Sequence, residues 1–561
     1  MKKVLFLALL CLLASASHMN AITRVVNVSE LQGELTRALR QQVQGLTYND
    51  TIVINFDKTG TDTVCGTITA HCNVIMTGQG RCKSTVIFDN GTNQQGFVAF
   101  NDDSFFVFSG TLEHNISVTI SDISFKLMDH TGIWWESAAK YAVKIYHANG
   151  VTINNVDSYL KNAVCTNFDL RVCSNVTVTN CNLYNYNNCL AGGCLWLRGA
   201  MHDINISGNR FYKYGNDESL AFFSRLVDAN TNTSGDVTRS NIIVKDNDFY
   251  YGYDGGDKND IFNDMQFSLI SGDDSPYSCT TNNFLFSNNR FQINDLVKRT
   301  ISIRFNDGDS FSNVEFNNNI FTDNYIGSIK RYYRNDIEVY GNPLHPDTVF
   351  FRNNIFTNYN PVVNAYNSNG AAFFLVEGSQ ICLDSNILAN YVTSDTATTS
   401  EIGVTLVWCG VAGGDVTLRN NMSRNLKHLA RVAAGNGISK FKLNATGNTF
   451  HGDTKIYCDV IDTLNIDFRK NLFISNNMTF FLQEFATTGS LVFNENNVFV
   501  ETNGGKLMAH WNSNPTSSMR FNRLEVRNNL LRGINSTENM LKYITNVGDS
   551  IVSGNICIQN L

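Results

Sequence analysis

One short motif recurs along most of this chain and constrains its fold more than any other feature. It is a strand-like run that ends in an asparagine pair, followed by one residue and then an aromatic or apolar residue. Residues 283–291 read NFLFSNNRF, and variants stand at 244–249 (VKDNDF), 316–321 (FNNNIF) and 351–356 (FRNNIF). A motif that returns in this way requires the same turn in every repeat, which indicates one continuous repetitive body rather than several globular domains.

The spacing of the motif predicts a β-solenoid. Successive anchor asparagines are between 23 residues (448 to 471) and 42 residues (247 to 289) apart, and only 5 of the 561 residues are Pro. Each interval holds strand patterns separated by Gly, Asn and Asp, without a convincing helix. A β-propeller fits less well, because its blades repeat more regularly. Clear anchors are Asn182, Asn209, Asn247, Asn289, Asn319, Asn354, Asn386, Asn448, Asn471, Asn497 and Asn529, and weaker anchors are Asn421 and Asn555.

A solenoid gives both recurring positions of the motif, the asparagine and the aromatic residue, a physical role. Equivalent side chains of successive coils lie directly above one another, so an inward asparagine at a bend can hydrogen-bond its neighbours and satisfy polar groups that would otherwise be buried without partners. The aromatic positions Phe249, Phe291, Phe321 and Phe356 are predicted to form an apolar stack beside these asparagines.

The N-terminus has the composition of an export signal. A Met-Lys-Lys start precedes an apolar run, and small residues follow, so that cleavage is expected after Ala16 or Ala21. The apolar run is too short to span a bilayer, and no later stretch is predicted to cross a membrane. The sequence therefore divides into a signal peptide (1–21) and a single domain (22–561) of a protein exported by a bacterium, whether secreted, periplasmic or on the cell surface.

The cysteines are predicted to be mostly small buried side chains. Export permits disulfides, and one or two bridges are plausible near Cys65–Cys82 and Cys165–Cys194. No group of cysteines has the spacing of a zinc site.

The opening of the mature chain carries a resemblance to a known superfamily. A cap is predicted over 25–60, in which Ser29 caps a helix over 30–39 and a strand follows at 50–56. Residues 73–80 (NVIMTGQG) form a further strand and a Gly-rich turn. With the Asn-Asn-x-Phe turns, this resembles the right-handed parallel β-helix superfamily of pectate lyases and related polysaccharide-active proteins. The resemblance covers most of residues 25–561 and implies an all-β, right-handed parallel β-helix with a short N-terminal capping helix.

The superfamily resemblance leaves the function open, because its members include lyases, hydrolases, epimerases, adhesins and phage tailspikes. It implies a polysaccharide partner. The formal net charge of −7 argues against a nucleic-acid partner, whose phosphates require a basic surface. The oligomeric state is not predictable from the sequence.

Chemistry is expected on a second set of strands, at 194–198, 220–223, 267–271 and 301–306. If these strands stack as one sheet, their outward ends form a single patch. The longest repeats lie in the same region, where extra residues can build loops that wall a groove. The patch comprises Trp196, Arg198, Asp217, Glu218, Arg225, Asp273, Asp274, Arg304, Asp307 and Asp309.

Three activities are consistent with such a patch. A lyase acting on uronic acids needs a base and a cation that neutralises the sugar carboxylate, and Arg198 and Arg304 are candidates for these roles. A glycoside hydrolase needs two carboxylates roughly 5–10 Å apart, for which Glu218, Asp273 and Asp274 are candidates. The superfamily resemblance and the strand-end arginines favour the lyase. The alternative is an adhesin-like protein that binds carbohydrate without turnover.

Further residues are predicted to bind substrate or a metal ion. Trp196 and tyrosines such as Tyr250, Tyr251 and Tyr253 could stack on sugar faces, and Lys330, Arg331 and Arg334 in the segment KRYYR could grip an acidic polysaccharide. Calcium is a candidate cofactor, held by Asp307 and Asp309 or by the patch carboxylates. Asp273-Asp274 is equally interpretable as a plain turn, and the composition of Asp307-Gly308-Asp309 favours a turn over a calcium site.

Overall fold

The fold was examined in a computed structural model of the whole chain. The predicted signal peptide up to residue 20 lies outside the part that the structure describes, and within several strands only the backbone is described. The described residues are 21–89, 104–127, 141–161, 166–186, 192–214, 217–223, 237–252, 264–270, 278–293, 299–305, 308–323, 335–341, 348–359, 372–390, 404–410, 413–432, 440–458, 461–475, 478–483, 486–501, 506–509, 519–534, 536 and 544–559.

The chain winds into coils, and each coil contributes one strand to each of three parallel sheets. All strand pairings between successive coils are parallel. In the order in which a coil runs, we call them the first, second and third sheets. The predicted fold class is confirmed, since the chain is an all-β right-handed parallel β-helix. The division of residues 22–561 into a single domain stays a prediction.

Strands are numbered in chain order. The first sheet consists of β4 (Ile68–Ala70), β7 (Ser104–Ser109), β9 (Tyr141–Tyr146), β11 (Thr166–Arg171), β14 (Leu195–Arg198), β17 (Asp217–Phe223), β20 (Asp264–Ile270), β23 (Arg299–Arg304), β26 (Asn335–Tyr340), β29 (Ala372–Glu377), β32 (Val404–Cys409), the second halves of β34 (Met422–Val432) and β36 (Thr449–Cys458), β39 (Met478–Gln483) and β42 (Lys506–Ala509). This sheet contains the predicted strands near 194, 220, 267 and 301, which therefore do stack together.

The other two sheets complete each coil. The second sheet consists of β1 (Thr23–Asn27), β2 (Thr51–Asn55), β5 (Asn73–Thr77), the first halves of β8 (Ile116–Leu127) and β10 (Ala148–Lys161), β12 (Ser174–Thr179), β15 (Met201–Ser207), β18 (Val237–Lys245), β21 (Cys279–Ser287), β24 (Ser310–Asn317), β27 (Thr348–Arg352), β30 (Ser379–Asp384), β33 (Gly414–Arg419), β35 (Lys440–Thr446), β37 (Ile461–Arg469), β40 (Ala486–Asn494), β43 (Met519–Arg527) and β45 (Ile544–Ser553). The third sheet consists of β3 (Gly60–Val64), β6 (Ser84–Phe88), the second halves of β8 and β10, β13 (Asn182–Tyr186), β16 (Arg210–Tyr214), β19 (Asp248–Tyr251), β22 (Arg290–Ile293), β25 (Ile320–Asp323), β28 (Ile355–Tyr359), β31 (Ile387–Asn390), the first halves of β34 and β36, β38 (Leu472–Ser475), β41 (Asn497–Val500), β44 (Leu530–Arg532) and β46 (Ile556–Ile558).

The core fills the space between the three sheets, because alternate residues of every strand point inward. The predicted phenylalanine stack is confirmed. Successive ring centroids are 4.8 Å apart between Phe211 and Phe249, 4.7 Å between Phe249 and Phe291, and 4.8 Å between Phe291 and Phe321, and Phe356 follows at 4.4 Å. All five rings are buried, so the stack stabilises the helix along its axis both by burial and by ring contact.

An asparagine ladder occupies the turn between the second and third sheets. Asn289 shows the pattern, since its backbone N–H and its Nδ2 both donate to Oδ1 of Asn319, at 3.0 and 3.2 Å. Its Nδ2 also donates to the carbonyl of Val244 at 3.0 Å, and its Oδ1 accepts two bonds from Asn247. The amide is therefore fully satisfied inside the protein. The ladder consists of Asn209, Asn247, Asn289, Asn319, Asn354, Asn386, Asn421, Asn448, Asn471, Asn496, Asn529 and Asn555.

The ladder corrects the predicted anchors at two positions. Asn182 lies one residue beyond the ladder position, which Cys181 occupies, and the backbone N–H of Cys181 donates to Asn209. Asn497 is displaced in the same way from Asn496, the true member. The anchors at Asn421 and Asn555 are full members of the ladder rather than weak copies, because buried hydrogen bonding and not the identity of the following residue defines the position.

The first asparagine of each pair has a different role from the second. It takes a left-handed backbone conformation, with φ near +55° at Asn288, Asn318 and Asn353. Asparagine and glycine tolerate this conformation best. Lys470 and Glu495 take it as well, with φ of 56° and 57°, so the turn geometry prevails over residue preference in those coils.

The N-terminal cap differs in detail from the prediction. The helix, α1, spans Leu35–Val43 and begins later than expected, because Gly33 has φ +83° and interrupts the chain before it. Its N-cap is Glu34, whose carboxylate accepts from the backbone N–H groups of Thr36 and Arg37. Ser29 does not cap it. Ser29 lies in the 3₁₀ turn Val28–Glu30 and donates to Asp57.

The predicted disulfide near Cys65–Cys82 is absent, since both residues carry free thiols. Cys194 is also a free thiol, whereas Cys165 lies outside the described residues. Cys173, Cys181 and Cys194 are buried, as the prediction of small core side chains requires.

No helix in the described part of the chain is long and apolar enough to cross a membrane.

Candidate functional site

The outward face of the first sheet is the most irregular surface of the helix. From β12 onward the turn from the second to the third sheet is short, as between Lys245 and Asp248. By contrast, the connections that border the first sheet are long, for example from Tyr251 to Asp264 and from Phe223 to Val237. Charged and aromatic side chains concentrate on the face between these long connections, which is where loops on a rigid scaffold usually build a site.

A basic–aromatic cluster lies on the N-terminal part of this face. In β11, Phe168 and Leu170 point into the core, so the alternating residues Asp169 and Arg171 point outward. Asp169 is fully buried and accepts from Nε of Arg171 at 2.6 Å and from Nε of Arg198 on the next coil at 2.9 Å. We define the basic–aromatic cluster as Tyr141, Lys144, Tyr146, Asp169, Arg171, Trp196, Arg198 and Phe223.

The strand register explains why these residues meet. Lys144, Asp169 and Trp196 follow one another across β9, β11 and β14, while Tyr146, Arg171 and Arg198 form the neighbouring row. Adjacent strands are about 4.8 Å apart, so each side chain contacts its neighbours above and below.

Aromatic rings surround the cations of the cluster. The Arg198 guanidinium lies 4.6 Å from the Trp196 ring, 5.3 Å from the Phe223 ring and 5.9 Å from the Tyr141 ring. Nζ of Lys144 is 4.8 Å from the centroid of Tyr146. Cation–π contacts of this kind strengthen when water is excluded, and these basic side chains are buried.

The electrostatics of the cluster keep Arg171 charged. Burial opposes the charge of Arg171, but Asp169, Tyr146 and Tyr141 outweigh it and raise the pKa of Arg171 above its ordinary value. Arg198 donates through Nε to Asp169 and through Nη2 to the Tyr141 hydroxyl at 3.5 Å. Its remaining N–H groups make no hydrogen bond to the residues that the structure describes.

Trp196 and Phe223 form the open side of the cluster, because both are only partly buried. A side chain at Gly193 would collide with the Trp196 indole nitrogen, so glycine at this position lets the indole lie close to the sheet. The indole N–H is buried and has no partner among the described residues.

A second group of polar residues continues along the same face toward the C-terminus. Trp196, Ala221, Ser268, Ser302 and Glu338 succeed one another in register across β14, β17, β20, β23 and β26. We call the last three, together with Glu218 and Arg304, the serine–glutamate row.

Two buried glutamates belong to the serine–glutamate row. Glu218 accepts from the Ser268 hydroxyl at 3.0 Å. Glu338 lies 3.8 Å from Nη2 of Arg304, and the Arg304 guanidinium is 5.0 Å from the ring of Tyr340. Arg304 stands three strands from Arg198 in the same row, through Phe223 and Ile270. The two predicted arginines are therefore about 14 Å apart.

The predicted patch is only partly correct. Arg198, Trp196, Glu218 and Arg304 do lie on one sheet face, although Arg198 is 6% exposed and not a surface residue. Asp309 does not belong to this face. It precedes a strand of the second sheet, is buried, and accepts from the backbone N–H of Cys279 at 2.6 Å.

Several predicted residues lie outside the described part of the chain. They are Asp273, Asp274, Asp307, Arg225, Lys330, Arg331 and Arg334, and of Asp217 only the backbone is described. Among the described residues, no three His, Cys, Asp or Glu side chains converge as a metal site would require, and calcium binding stays a prediction.

Of the predicted stacking tyrosines, Tyr250 lies against another tyrosine ring. On the outward face of the third sheet, Tyr212 lies 4.3 Å from Tyr184 and 4.7 Å from Tyr250, with ring planes within 9° of parallel. The rings thus cover one another's faces. Burial raises the pKa of Tyr184 to about 12. Tyr251 is buried, and Tyr253 lies outside the described residues.

The sequence contained a signal for the cluster residues that were missed. Residues 168–171 (FDLR) and 195–198 (LWLR) place an inward apolar residue before each outward polar or aromatic residue, and both end in arginine. Aligning these two runs identifies Asp169 and Arg171 as neighbours of Trp196 and Arg198. The contribution of Tyr141, Lys144 and Tyr146 required the register of β9.

Comparisons with known proteins assign no family to this chain. No family model matches the sequence, and no curated protein matches it. Among solved structures, a family 28 exopolygalacturonase from Yersinia enterocolitica is 11% identical, with a TM-score of 0.41 and coverage of 79% of this chain and 78% of that chain.

Two further solved structures have similarly low identity. The tailspike gp61 of Pseudomonas phage phi297 is 10% identical, with a TM-score of 0.39 and coverage of 86% of this chain and 76% of that chain. A mannuronic acid specific polysaccharide family 6 lyase from human gut microbiota is 10% identical, with a TM-score of 0.30 and coverage of 95% and 92%. These comparisons assign the chain to no particular family, and the parallel β-helix is established by the strand pairings themselves.

Proposed function

We propose that this protein binds an acidic polysaccharide on the outward face of the first sheet and that Arg198 clamps a sugar carboxylate there. The observation that supports this proposal is the set of contacts around Arg198. This residue is held rigidly by Asp169 and Tyr141, it is flanked by aromatic rings, and the rest of its guanidinium fork is not engaged by described residues. A rigid arginine fork matches the two oxygens of a carboxylate.

The reaction that these residues fit best is β-elimination. Arg198 neutralises the carboxylate, which makes the proton on the adjacent carbon easier to remove. Tyr141 acts as the phenolate, and its oxygen, 3.5 Å from Nη2 of Arg198, takes up that proton. The bond from the ring to the leaving glycosidic oxygen then breaks, that oxygen takes a proton from solvent, and an unsaturated uronate remains. Asp169 and Arg171 position the clamp rather than contact the substrate.

A hydrolytic role for this cluster has less support. Hydrolysis requires two carboxylates on opposite sides of the scissile bond. The basic–aromatic cluster contains one carboxylate, Asp169, and it already accepts from two arginines. Binding without turnover would use the same clamp, so the two readings differ only in whether product forms.

The proposal includes export, as residues 1–21 suggest. A polymer too large to enter a cell requires an extracellular or periplasmic protein.

The test is turnover and binding on acidic and neutral polysaccharides. We would follow unsaturated uronate by ultraviolet absorbance and new reducing ends in parallel, with wild type, Arg198→Ala, Arg198→Lys and Tyr141→Phe. Loss of charge-assisted hydrogen bonds predicts that Arg198→Ala weakens binding by at least about tenfold. Arg198→Lys is expected to restore part of the binding, because it keeps the charge and loses the fork.

Arg290→Ala is the matched control, since Arg290 is also paired to an aspartate, Asp248, but lies exposed on the third sheet. Both signals rising together in wild type and falling in Tyr141→Phe support elimination. Binding without product supports the non-catalytic alternative. Equal binding of wild type and Arg198→Ala to every acidic polymer would overturn the proposal.

A further inference from the structure

The serine–glutamate row has an electrostatic character opposite to that of the basic–aromatic cluster. Glu218 and Glu338 are both buried on the same face, and the serines between them offer hydroxyl groups. Carboxylates held in this way accept hydrogen bonds from hydroxyls and repel a second carboxylate. The same face is therefore suited to an anionic group at one end and to a neutral, hydroxyl-rich group at the other.

A second observation independently indicates a ligand in this row. Ser302 is fully buried, it lies in register between Ser268 and Glu338, and its hydroxyl has no partner among the described residues. Buried hydroxyls normally have a hydrogen-bond partner. A sugar hydroxyl lying across the row would supply it.

The distance between the basic–aromatic cluster and Ser302 determines which pattern of sugars fits the face. Ser302 is three strands from Trp196 along the face, or about 14 Å. One strand spacing is close to the length of one sugar residue in an extended chain. Three residues beyond a given unit, an alternating copolymer presents a unit of the opposite kind, whereas a homopolymer presents a second carboxylate.

We propose that Ser302 and Glu338 bind a neutral sugar three residues from the acidic sugar held by Arg198, so that the preferred ligand alternates acidic and neutral sugars. This inference rests on the proposed function, because Arg198 fixes the register. Glu338 and Ser302 contact the neutral unit, and Arg304 positions Glu338.

The test compares alternating polymers with homopolymers. Binding of hyaluronan and unsulfated chondroitin, in which a uronate alternates with a neutral N-acetylhexosamine, is measured by calorimetry against polygalacturonate and polymannuronate. Wild type is expected to bind at least one alternating polymer about tenfold more tightly than either homopolymer. A homopolymer would place a second carboxylate at the position of the neutral sugar, and the alternating polymer avoids burying that charge without a partner. Ser302→Ala is expected to weaken that binding about fivefold and Glu338→Gln about tenfold.

Two readouts separate a binding role from a structural one. Ser302→Ala removes a buried hydroxyl that has no described partner, so its melting temperature is expected to equal or exceed that of wild type although its affinity falls. Glu315→Gln is the matched control for Glu338→Gln, because Glu315 also pairs with an arginine, Arg352, but on the second sheet. It is expected to leave binding unchanged.

The failures of the two proposals are distinguishable. The inference is overturned if a homopolymer binds more tightly, or if Ser302→Ala and Glu338→Gln both bind the alternating polymer as tightly as wild type does. In either case, weaker binding by Arg198→Ala would still support the proposed role of Arg198. No binding of any acidic polymer by wild type overturns the clamp and the inference together.

Discussion

The turn that carries the asparagine ladder and the outward face of the first sheet both bury polar groups, but they do so in opposite ways. In the ladder, every member is the same residue and bonds the same atoms of the next coil, from Asn209 to Asn555. On the first sheet, neighbouring rows change from cation to carboxylate to aromatic ring within one or two coils, as at Lys144, Asp169 and Trp196.

The difference separates the architecture of the helix from the recognition that we propose for the first sheet. Uniform residues satisfy one another and need nothing from outside, so the ladder stabilises the helix at any length. Varied residues leave specific groups, such as the Arg198 fork and the Ser302 hydroxyl, directed outward in a fixed geometry. Substitutions in the ladder should therefore lower stability, and substitutions on the face should lower binding.

The largest expected effect is that of Asn354→Ala. This change removes the acceptor of two bonds from Asn319 and the donor to the Phe316 carbonyl. Three buried groups at about 1–3 kcal/mol each predict a loss of about 3 kcal/mol or more in the free energy of unfolding. Urea unfolding followed by circular dichroism measures it.

The control for this change is the adjacent residue. Asn353 is exposed and left-handed, with φ 54°, so Asn353→Gly is expected to change stability by less than about 1 kcal/mol. Similar losses in both variants would mean that the ladder bonds contribute little.

A smaller loss is expected for Asn555→Ala at the C-terminal end of the ladder. Asn555 is only partly buried, and it accepts from Asn529 while donating to the Val526 carbonyl. Water can replace some of these bonds, so about half the cost of Asn354→Ala is expected. Equal costs in the two variants, measured in the same urea series, would show that the last coil is as well protected as the middle.

Arg198→Met should separate the two regions most clearly. Asp169 keeps its bond to Arg171, and methionine preserves much of the packing against Trp196. The change leaves one Asp169 oxygen without its donor, so the free energy of unfolding is expected to fall by about 1–3 kcal/mol, less than when a buried charge loses every partner, while binding of acidic polymers is lost. A large fall in melting temperature with retained binding would assign Arg198 to architecture instead.

The smallest effect concerns the buried thiols. Burial raises the pKa of Cys173, Cys181 and Cys194 to about 12. In the native protein at neutral pH, iodoacetamide is expected to modify the exposed Cys82 and to leave these three intact, as peptide mass spectrometry would show.

The same shifts give a direction for the pH dependence of stability. The three thiols stay protonated in the folded chain while the unfolded chain ionises, so their contribution is present below about pH 9 and is lost as the pH rises toward about 12. Urea midpoints that stay constant over this range, or modification of all three thiols in the folded state, would contradict the assigned burial.

The repeat was readable from the sequence because its physical cause is local. A left-handed residue followed by a buried amide must recur once per coil, and this fixed the period, the phenylalanine stack and the fold class. The anchors at Asn182 and Asn497 were wrong by one residue, because a run of polar residues does not reveal which one points inward. The start of α1 was predicted too early, because Gly33 interrupts the chain between the predicted cap at Ser29 and the helix.

The sequence by itself determined that the chain is a parallel β-helix and that Arg198, Trp196, Glu218 and Arg304 lie on related strands. Only the tertiary structure decided what surrounds them. Coil lengths vary between 23 and 42 residues, so sequence distance does not show which residues stand one strand apart. Stacking of the coils brings Asp169 to Arg198 across 29 residues and Ser268 to Glu218 across 50, and these contacts distinguish the proposed binding face from a row of unrelated charges.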